Sequence, residues 1–256
     1  MKEEKELNKV EELKKNQVWN IIRWVYWTII FLIAIVSLFL LYTEFLGHDI
    51  LLFYKPVIST LNFLSLNFSA VLFLYFSIRS VMPVTREEKV GQKAWDDCYQ
   101  DRLRLSYVLS LMVINMFLWI WFPIEELKLS IFQNNMVGIL IAIFILIPCS
   151  IILYFALKHG GIEHIKPMKK TTLHGGIYQF IRHPGILGEM PLYIAIGFFI
   201  NSLFITLWAT FLVVFYVPVY IYFEEKDLLK RFGEPYREYK ERVGALIPKL
   251  LRRKNE

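Results

Sequence analysis

Long apolar runs separated by short charged segments dominate the pattern along this chain. The first run, Trp24–Leu46, contains only four polar positions, and about 20 apolar residues are enough for a helix to cross the hydrocarbon core of a bilayer. Five more runs follow, so the predicted spans are Trp24–Leu46, Pro56–Val81, Leu105–Pro123, Met136–Leu157, Ile186–Ile200 and Leu203–Phe223. The pattern predicts an all-α fold, a polytopic bundle of about six transmembrane helices.

The last two runs are separated by only two residues, Asn201 and Ser202. A connection this short joins antiparallel neighbouring helices, so we expect these runs to form a helical hairpin. The fifth run is short for a span, and the pattern leaves its depth in the membrane open.

The basic residues divide the segments between the runs into two classes. Of the 29 Lys and Arg residues, 27 lie in segments 1–23, 79–104, 158–184 and 224–256, and the alternate segments hold Lys55 and Lys128. Because Lys and Arg accumulate on the cytosolic side of a membrane, we expect both termini in the cytosol. The membrane would be the cell membrane in a prokaryote or the endoplasmic reticulum in a eukaryote.

Composition narrows the class of protein further. With 56% hydrophobic and 20% charged residues, the chain differs from soluble domains, which have about 45–50% apolar and about 25% charged residues. Two cysteines and five histidines without ligand spacing predict no metal site. The net charge is +6, and the basic residues lie beside the predicted spans. The expected partner is therefore the lipid bilayer and not nucleic acid.

Two charged segments are predicted to be helical at the membrane surface. Loop 82–104 opens with Pro83 and the pattern Thr85-x-x-Glu88, which is typical of a capping box at the start of a helix. The tail after Phe223 has apolar and aromatic residues at spacings of three and four, namely Leu228, Phe232, Tyr236, Tyr239 and Val243. This spacing predicts a cytosolic amphipathic helical tail, which is broken at Gly233 and restarted at Pro235.

Charged residues flank the predicted hairpin on both sides. Arg182 and His183 precede it, and Glu224 and Glu225 follow it. Because a hairpin begins and ends on the same membrane face, we expect these four side chains to meet. The simpler interpretation is that Arg182 only pairs with a glutamate at the membrane boundary.

One carboxylate lies inside the hairpin itself. Glu189 is a candidate functional residue because ionisable groups are rare within membrane spans. A structural hydrogen bond to the bundle is the alternative role for this side chain.

Two ordered motifs surround the hairpin. They are Gly176-x-Tyr178-x-x-x-Arg182-His183-Pro184-x-x-x-Gly188 before it, then Glu224-Glu225-x-x-Leu228-x-x-x-Phe232-Gly233-x-x-Tyr236-x-x-Tyr239 and Leu246-Ile247-Pro248 after it. Together they resemble the isoprenylcysteine carboxyl methyltransferase superfamily, which includes phospholipid N-methyltransferases. The resemblance covers about residues 135–250. It implies a methyltransferase-like catalytic region at 135–256. The charge distribution and the apolar runs predict a cytosolic N-terminal tail at 1–23 and additional spans at 24–134 with the cytosolic loop 82–104.

The resemblance implies S-adenosylmethionine as cofactor. Arg182 offers a bidentate fork for its carboxylate, and Glu224 or Glu225 offers negative charge for its ammonium and sulfonium groups. The expected cofactor-binding residues are Tyr178, Arg182, His183, Gly188, Glu224, Glu225 and Tyr236, and the expected catalytic residues are Arg182, His183 and Glu189. Neighbouring helical residues do not share a face, so only one glutamate of the pair is expected to point into the site.

The sequence departs from the superfamily pattern at two positions. Ile186 stands where a tyrosine is common, and Gly244 stands where many members have proline. The acceptor is therefore left open among lipophilic or lipidated substrates, including an isoprenylcysteine carboxylate, a lipid amine and a thiol. Two other functions also remain open: an NADPH-dependent membrane sterol reductase, whose last helices carry a similar Arg-His-Pro element, and a non-catalytic membrane scaffold.

Overall fold

The computed structural model describes residues 48–164, 166–169 and 175–249. The chain divides into two units, Met1–Val57 and Ile58–Glu256, and the interactions described below belong to the second. The predicted tail 1–23 and the predicted span Trp24–Leu46 lie outside the described residues.

All regular elements of the described residues are helical. The helices are α1 His48–Ser80, α2 Pro83–Val90, α3 Lys93–Leu118, α4 Asn135–Gly160, α5 Pro184–Phe199, α6 Leu203–Phe232 and α7 Glu234–Arg242. Three short 3-10 helices lie at Glu125–Leu127, Gly161–His164 and Gly176–Gln179. Within these ranges the only strand-like pairings are isolated bridges between Ser130 and Ser202 and between Ile181 and Gly244. The all-α prediction is confirmed.

Three of the described helices are long and apolar enough to cross a bilayer. They are the part of α1 from Tyr54 to Ser80, the whole of α4 and the whole of α6. Helix α5 is apolar but has only 16 residues. A membrane protein is therefore supported, whereas the count of six spans and the sidedness of the termini stay predictions.

Among the described residues, three helices extend well beyond the predicted runs, and α1 begins at His48, eight residues before the predicted start at Pro56. Helix α3 begins at Lys93, so much of the predicted loop 82–104 is helical. Helix α6 continues beyond Phe223 and ends at Phe232, before Gly233 adopts a positive φ of 64°. The apolar pattern marks where a helix leaves the membrane, but Glu, Lys, Arg and Leu sustain helix beyond that point. Helix α7 then starts with proline in its first turn, as the pattern predicted.

Helix α2 is capped by a residue from another helix. The predicted capping box of Thr85 and Glu88 is wrong, because no side-chain cap bond forms at the N-cap residue Met82. Instead, the buried carboxylate of Asp227 accepts hydrogen bonds from the backbone N–H groups of Val84 at 3.2 Å and Thr85 at 2.7 Å. The favourable position for an anion at a helix N-terminus is thus filled from α6.

Helices α5 and α6 form the hairpin that the short connection predicted. Asn201 turns the chain with a φ of 52°, and its side-chain oxygen accepts a hydrogen bond from Phe132 N at 3.0 Å. Gly197 allows the two helices to cross closely, since an added Cβ would lie 2.4 Å from the hydroxyl oxygen of Thr206. The hairpin therefore returns the chain to the level at which α5 began.

The apolar core lies between α1, α3, α5 and α6. Its buried members include Leu66, Phe73, Met112, Met116, Ile186, Met190, Tyr193, Ile205, Ala209 and Tyr216. Helix α4 packs beside α5 but leaves a broad apolar face uncovered, on which Phe144 is 80% exposed. Such a face suits contact with lipid.

Candidate functional site

The segment that precedes α5 is joined to the segment that follows α7. The backbone N–H of Arg182 donates to the carbonyl of Gly244 at 2.9 Å, and that of His183 donates to Ala245 at 3.0 Å. Gly244 is required by a tight turn, because an added Cβ would lie 1.8 Å from the carbonyl oxygen of Ile247. This turn accounts for the glycine at a position where the superfamily often has proline.

Arg182 directs its guanidinium group inward to other protein groups. Its Nη2 lies 2.7 Å and its Nε 2.9 Å from Oε1 of Glu225. Its Nη1 donates to the carbonyl oxygens of Lys240, at 3.0 Å, and Val243. The side chain is only 7% exposed. The fork that the sequence offered to a cofactor carboxylate is thus taken by Glu225, which favours a positioning role for Arg182.

His183 lies between the two glutamates. Its Nδ1 is 2.8 Å from Oε2 of Glu224, and its Nε2 is 3.0 Å from Oε1 of Glu225. Burial by itself lowers the pKa of His183, but hydrogen bonds and charge interactions with both carboxylates outweigh it and raise the pKa to about 9. His183 is therefore a protonated bridge at neutral pH.

Glu225 is buried among three cationic side chains. Besides Arg182 and His183, the ammonium group of Lys240 lies 2.7 Å from its Oε2. The sequence reasoning counted Lys240 only among the basic residues of the tail. The spacing in the sequence could have indicated Lys240, because it is four residues after Tyr236 and neighbours it on the surface of α7.

Glu224 differs from its neighbour in exposure and in partners. Its side chain is 23% exposed, whereas that of Glu225 is 7% exposed. Besides His183, it receives a long hydrogen bond of 3.4 Å from the hydroxyl group of Tyr220. Tyr220 was not predicted from the sequence. Tyr216, Tyr220 and Glu224 follow one another at spacings of four, which places them on one face of α6. Glu224 is thus the more accessible carboxylate of the pair.

Tyrosines close the site from the side of α7. The hydroxyl of Tyr239 donates to the carbonyl of Tyr178 at 2.6 Å, which joins α7 to the 3-10 helix before α5. Burial raises the pKa of Tyr236, and the nearby charges of Glu225 and Glu224 raise it further. The hydroxyl of Tyr236 is buried and has no hydrogen-bond partner in the part of the chain that the structure describes. An orphaned polar atom of this kind calls for an explanation, and a bound polar ligand supplies one.

Two expected site residues lie further along α5, away from the ion cluster. An added Cβ on Gly188 would lie 2.6 Å from the backbone nitrogen of Leu153, so Gly188 allows the close contact of α5 with α4. Glu189 accepts a hydrogen bond of 3.0 Å from Tyr193, one turn later on the same helix. Contact of either residue with cofactor or substrate stays a prediction.

Comparison with known proteins supports the expected resemblance to membrane methyltransferases. The chain is 29% identical over 169 residues to methanethiol S-methyltransferase of Pseudomonas deceptionensis. The matched segment covers 58% of this chain and 60% of that protein. It is 38% identical over 88 residues to methanethiol S-methyltransferase 1 of Bradyrhizobium diazoefficiens, covering 34% of this chain and 29% of the relative. Methanethiol S-methyltransferase 2 of the same organism is 34% identical over 79 residues.

These relatives confirm the predicted resemblance to integral-membrane methyltransferases. The chain spans at most about 60% of the length of the curated relatives it matches. No protein-family model matches it. No solved structure matches it either.

Proposed function

We propose that this protein is an integral-membrane methyltransferase that uses S-adenosylmethionine and methylates a small thiol. The observation that carries the proposal is the contact of Arg182 and His183 with Glu224 and Glu225 at the common end of α5 and α6. Relatives named methanethiol S-methyltransferase support the reaction class and suggest the acceptor.

The residues around the cluster fit the polar groups of this cofactor. Glu224 offers a partly exposed carboxylate to a cationic group, and the unpartnered hydroxyl of Tyr236 offers a hydrogen bond. Arg182 and Lys240 hold Glu225 in place, and His183 orients Glu224 through its other ring nitrogen. We therefore assign cofactor contact to Glu224 and Tyr236, with His183 and Tyr178 beside them, and assign positioning to Arg182 and Glu225.

The acceptor requires a base and a surrounding without water. When bound, S-adenosylmethionine would supply a methyl group on a cationic sulfur for transfer to the acceptor's sulfur. Glu189 is six residues beyond His183, which is about 9 Å along a helix, and we assign it the proton of the thiol. Tyr193 orients this carboxylate through its 3.0 Å hydrogen bond. The apolar helices on either side exclude water from the reacting groups.

The test is incorporation of labelled methyl groups by purified protein. The protein in detergent is incubated with deuteromethyl-labelled S-adenosylmethionine and, separately, with methanethiol, a long-chain alkanethiol, phosphatidylethanolamine or a farnesylated cysteine. Mass spectrometry then identifies the labelled product. We expect label on methanethiol, and we expect Glu189→Gln to lower this transfer at least tenfold while cofactor binding measured by calorimetry stays unchanged.

Two results would overturn parts of the proposal separately. Labelling of the amine or the carboxylate but of neither thiol would contradict the acceptor and leave the methyltransferase assignment in place. A ligand that binds the folded state must raise its unfolding temperature. If the protein shows an intact unfolding transition that S-adenosylmethionine does not shift, the proposed function itself is contradicted.

A further inference from the structure

A buried carboxylate outside the candidate site binds three arginines. Asp101 is fully buried, and its two oxygens are 2.7 Å from Nη1 of Arg86, 3.0 Å from Nε of Arg79 and 2.7 Å from Nη1 of Arg104. Burial by itself raises the pKa of Asp101, but hydrogen bonds from the arginines outweigh it and lower the pKa overall. The carboxylate is therefore ionised at neutral pH.

Within the described residues, ion pairs offset two of the three guanidinium charges. Asp101 offsets one positive charge, and Asp97, 3.6 Å from Nη2 of Arg86, offsets a second. These ion pairs leave one positive charge on the group. It belongs to the outer pair, because Arg86 is 17% exposed whereas Arg79 is 38% and Arg104 55% exposed.

Arg79 and Arg104 are held side by side with donors to spare. Both bind the same carboxylate, one at each oxygen, which brings the two guanidinium groups close together. Arg79 uses Nε for Asp101 and Nη1 for the hydroxyl of Tyr75, at 2.9 Å. The Nη2 of Arg79 is directed to neither group, so the pair presents a fork of the kind that binds phosphate oxygens.

The surroundings of the pair are those of a membrane boundary. Arg79 lies in the last turn of α1, at the end of a helix apolar enough to span a bilayer, and Arg104 directly precedes the apolar part of α3. Arg79 stacks over the ring of Tyr75 at 5.1 Å, and the rings of Tyr75 and Tyr107 are 50% and 70% exposed. Tyrosines beside arginines at a span's end are typical of the headgroup level of a bilayer.

We propose that Arg79 and Arg104 bind the phosphate of an anionic phospholipid. The lipid phosphate supplies the negative charge that the cluster lacks, and its acyl chains lie along the exposed apolar faces of α1 and α3. A zwitterionic lipid is a poorer fit, because its own cation returns a positive charge to the same surface. This assignment is independent of the reaction proposed above.

The test is lipid retention by the full chain in native mass spectrometry. Protein in detergent is given phosphatidylglycerol and phosphatidylcholine of the same acyl composition in equal amounts. We expect phosphatidylglycerol to be retained selectively, and Arg104→Gln to lower its retention about fivefold, since one basic residue near the headgroups is worth about that factor. Arg237→Gln is the matched control, because Arg237 is 65% exposed and pairs along α7 with Glu234.

Other outcomes would overturn the assignment. Equal retention of the two lipids, or unchanged phosphatidylglycerol retention in Arg104→Gln, contradicts the site. Full displacement of the lipid by an equal concentration of inorganic phosphate contradicts a lipid ligand. If Arg104→Gln unfolds, Arg104→Lys is used instead, because it keeps the charge but lacks the fork. If this variant retains as much lipid as the unaltered protein, the proposal is also contradicted.

Discussion

The guanidinium group of Arg182 lies 2.7 Å from the carboxylate of Glu225, although the two residues are 43 positions apart in the chain. Both side chains are only 7% exposed. Their contact closes the α5–α6 hairpin at its charged end and holds Glu225 beside Lys240. A buried pair of this kind is costly to break, because removal of one partner leaves the other charged and unpaired.

We expect Arg182→Ala to lower the free energy of unfolding by about 3 kcal/mol. Arg182→Lys should recover part of this loss, because lysine keeps the charge but cannot reach Glu225 and the two backbone carbonyls with one planar fork. Arg237→Ala, at an exposed position of α7, is the control. Thermal unfolding in detergent measures all three, and an Arg182→Ala transition equal to that of the control would contradict a buried, stabilising pair.

The two glutamates should respond differently to removal of their charge. We expect Glu225→Gln to destabilise the fold by about 3 kcal/mol, because three cations lose their shared anion. Glu224→Gln should fold normally but bind S-adenosylmethionine at least tenfold more weakly, since charged hydrogen bonds contribute about 1.5–3 kcal/mol. Calorimetric titration together with thermal unfolding separates these effects, and the reverse order would exchange the two roles.

His183 should make the stability of the hairpin depend on pH on the alkaline side. Because its pKa is raised to about 9 in the folded protein, the stabilisation is complete below its ordinary value of about 6.5 and is lost as the pH rises through about 9. We expect the unfolding temperature to fall over this interval in the unaltered protein. His183→Gln should flatten the profile there, and a profile that stays unchanged would contradict the protonated bridge.

Tyr236→Phe tests the orphaned hydroxyl. Since that hydroxyl has no hydrogen-bond partner among the described residues, its removal should leave the stability unchanged or raise it by about 1 kcal/mol. We expect cofactor affinity to fall about fivefold to tenfold through the loss of one hydrogen bond. Tyr239→Phe is the matched control, because its hydroxyl serves the carbonyl of Tyr178, and it should lower stability instead.

Gly188→Ala tests whether this glycine serves packing between helices. An added methyl group would lie 2.6 Å from the backbone nitrogen of Leu153 and 2.9 Å from the carbonyl oxygen of Cys149. Overpacking of this kind costs about 1–3 kcal/mol. Gly175→Ala, where the nearest atom would be 3.9 Å away, should be neutral. Unchanged stability with lost cofactor affinity in Gly188→Ala would instead favour the predicted ligand contact.

The ion cluster could be located from the sequence because its parts flank a hairpin. Two polar residues on either side of paired apolar runs must meet if the runs are antiparallel, so Arg182, His183, Glu224 and Glu225 were grouped correctly. Their partners within the group could not be assigned. Adjacent residues on a helix point about 100° apart, and the direction that each faces depends on how α6 is rotated against α5.

Local chemistry by itself determined the helices, the position of the hairpin turn and the clustering of charge, because hydrophobic runs, helix propensity and turn residues act between near neighbours in the chain. Only the tertiary structure decided that Asp227 caps α2, that Lys240 joins Glu225 and that Asp101 gathers three arginines. Each of these arrangements depends on how different helices pack against one another. Lys240 and the arginines were visible as charged residues, and Asp227 finds backbone N–H groups that the sequence does not mark. Charge attracts any opposite charge, and the packed apolar surfaces select which groups meet.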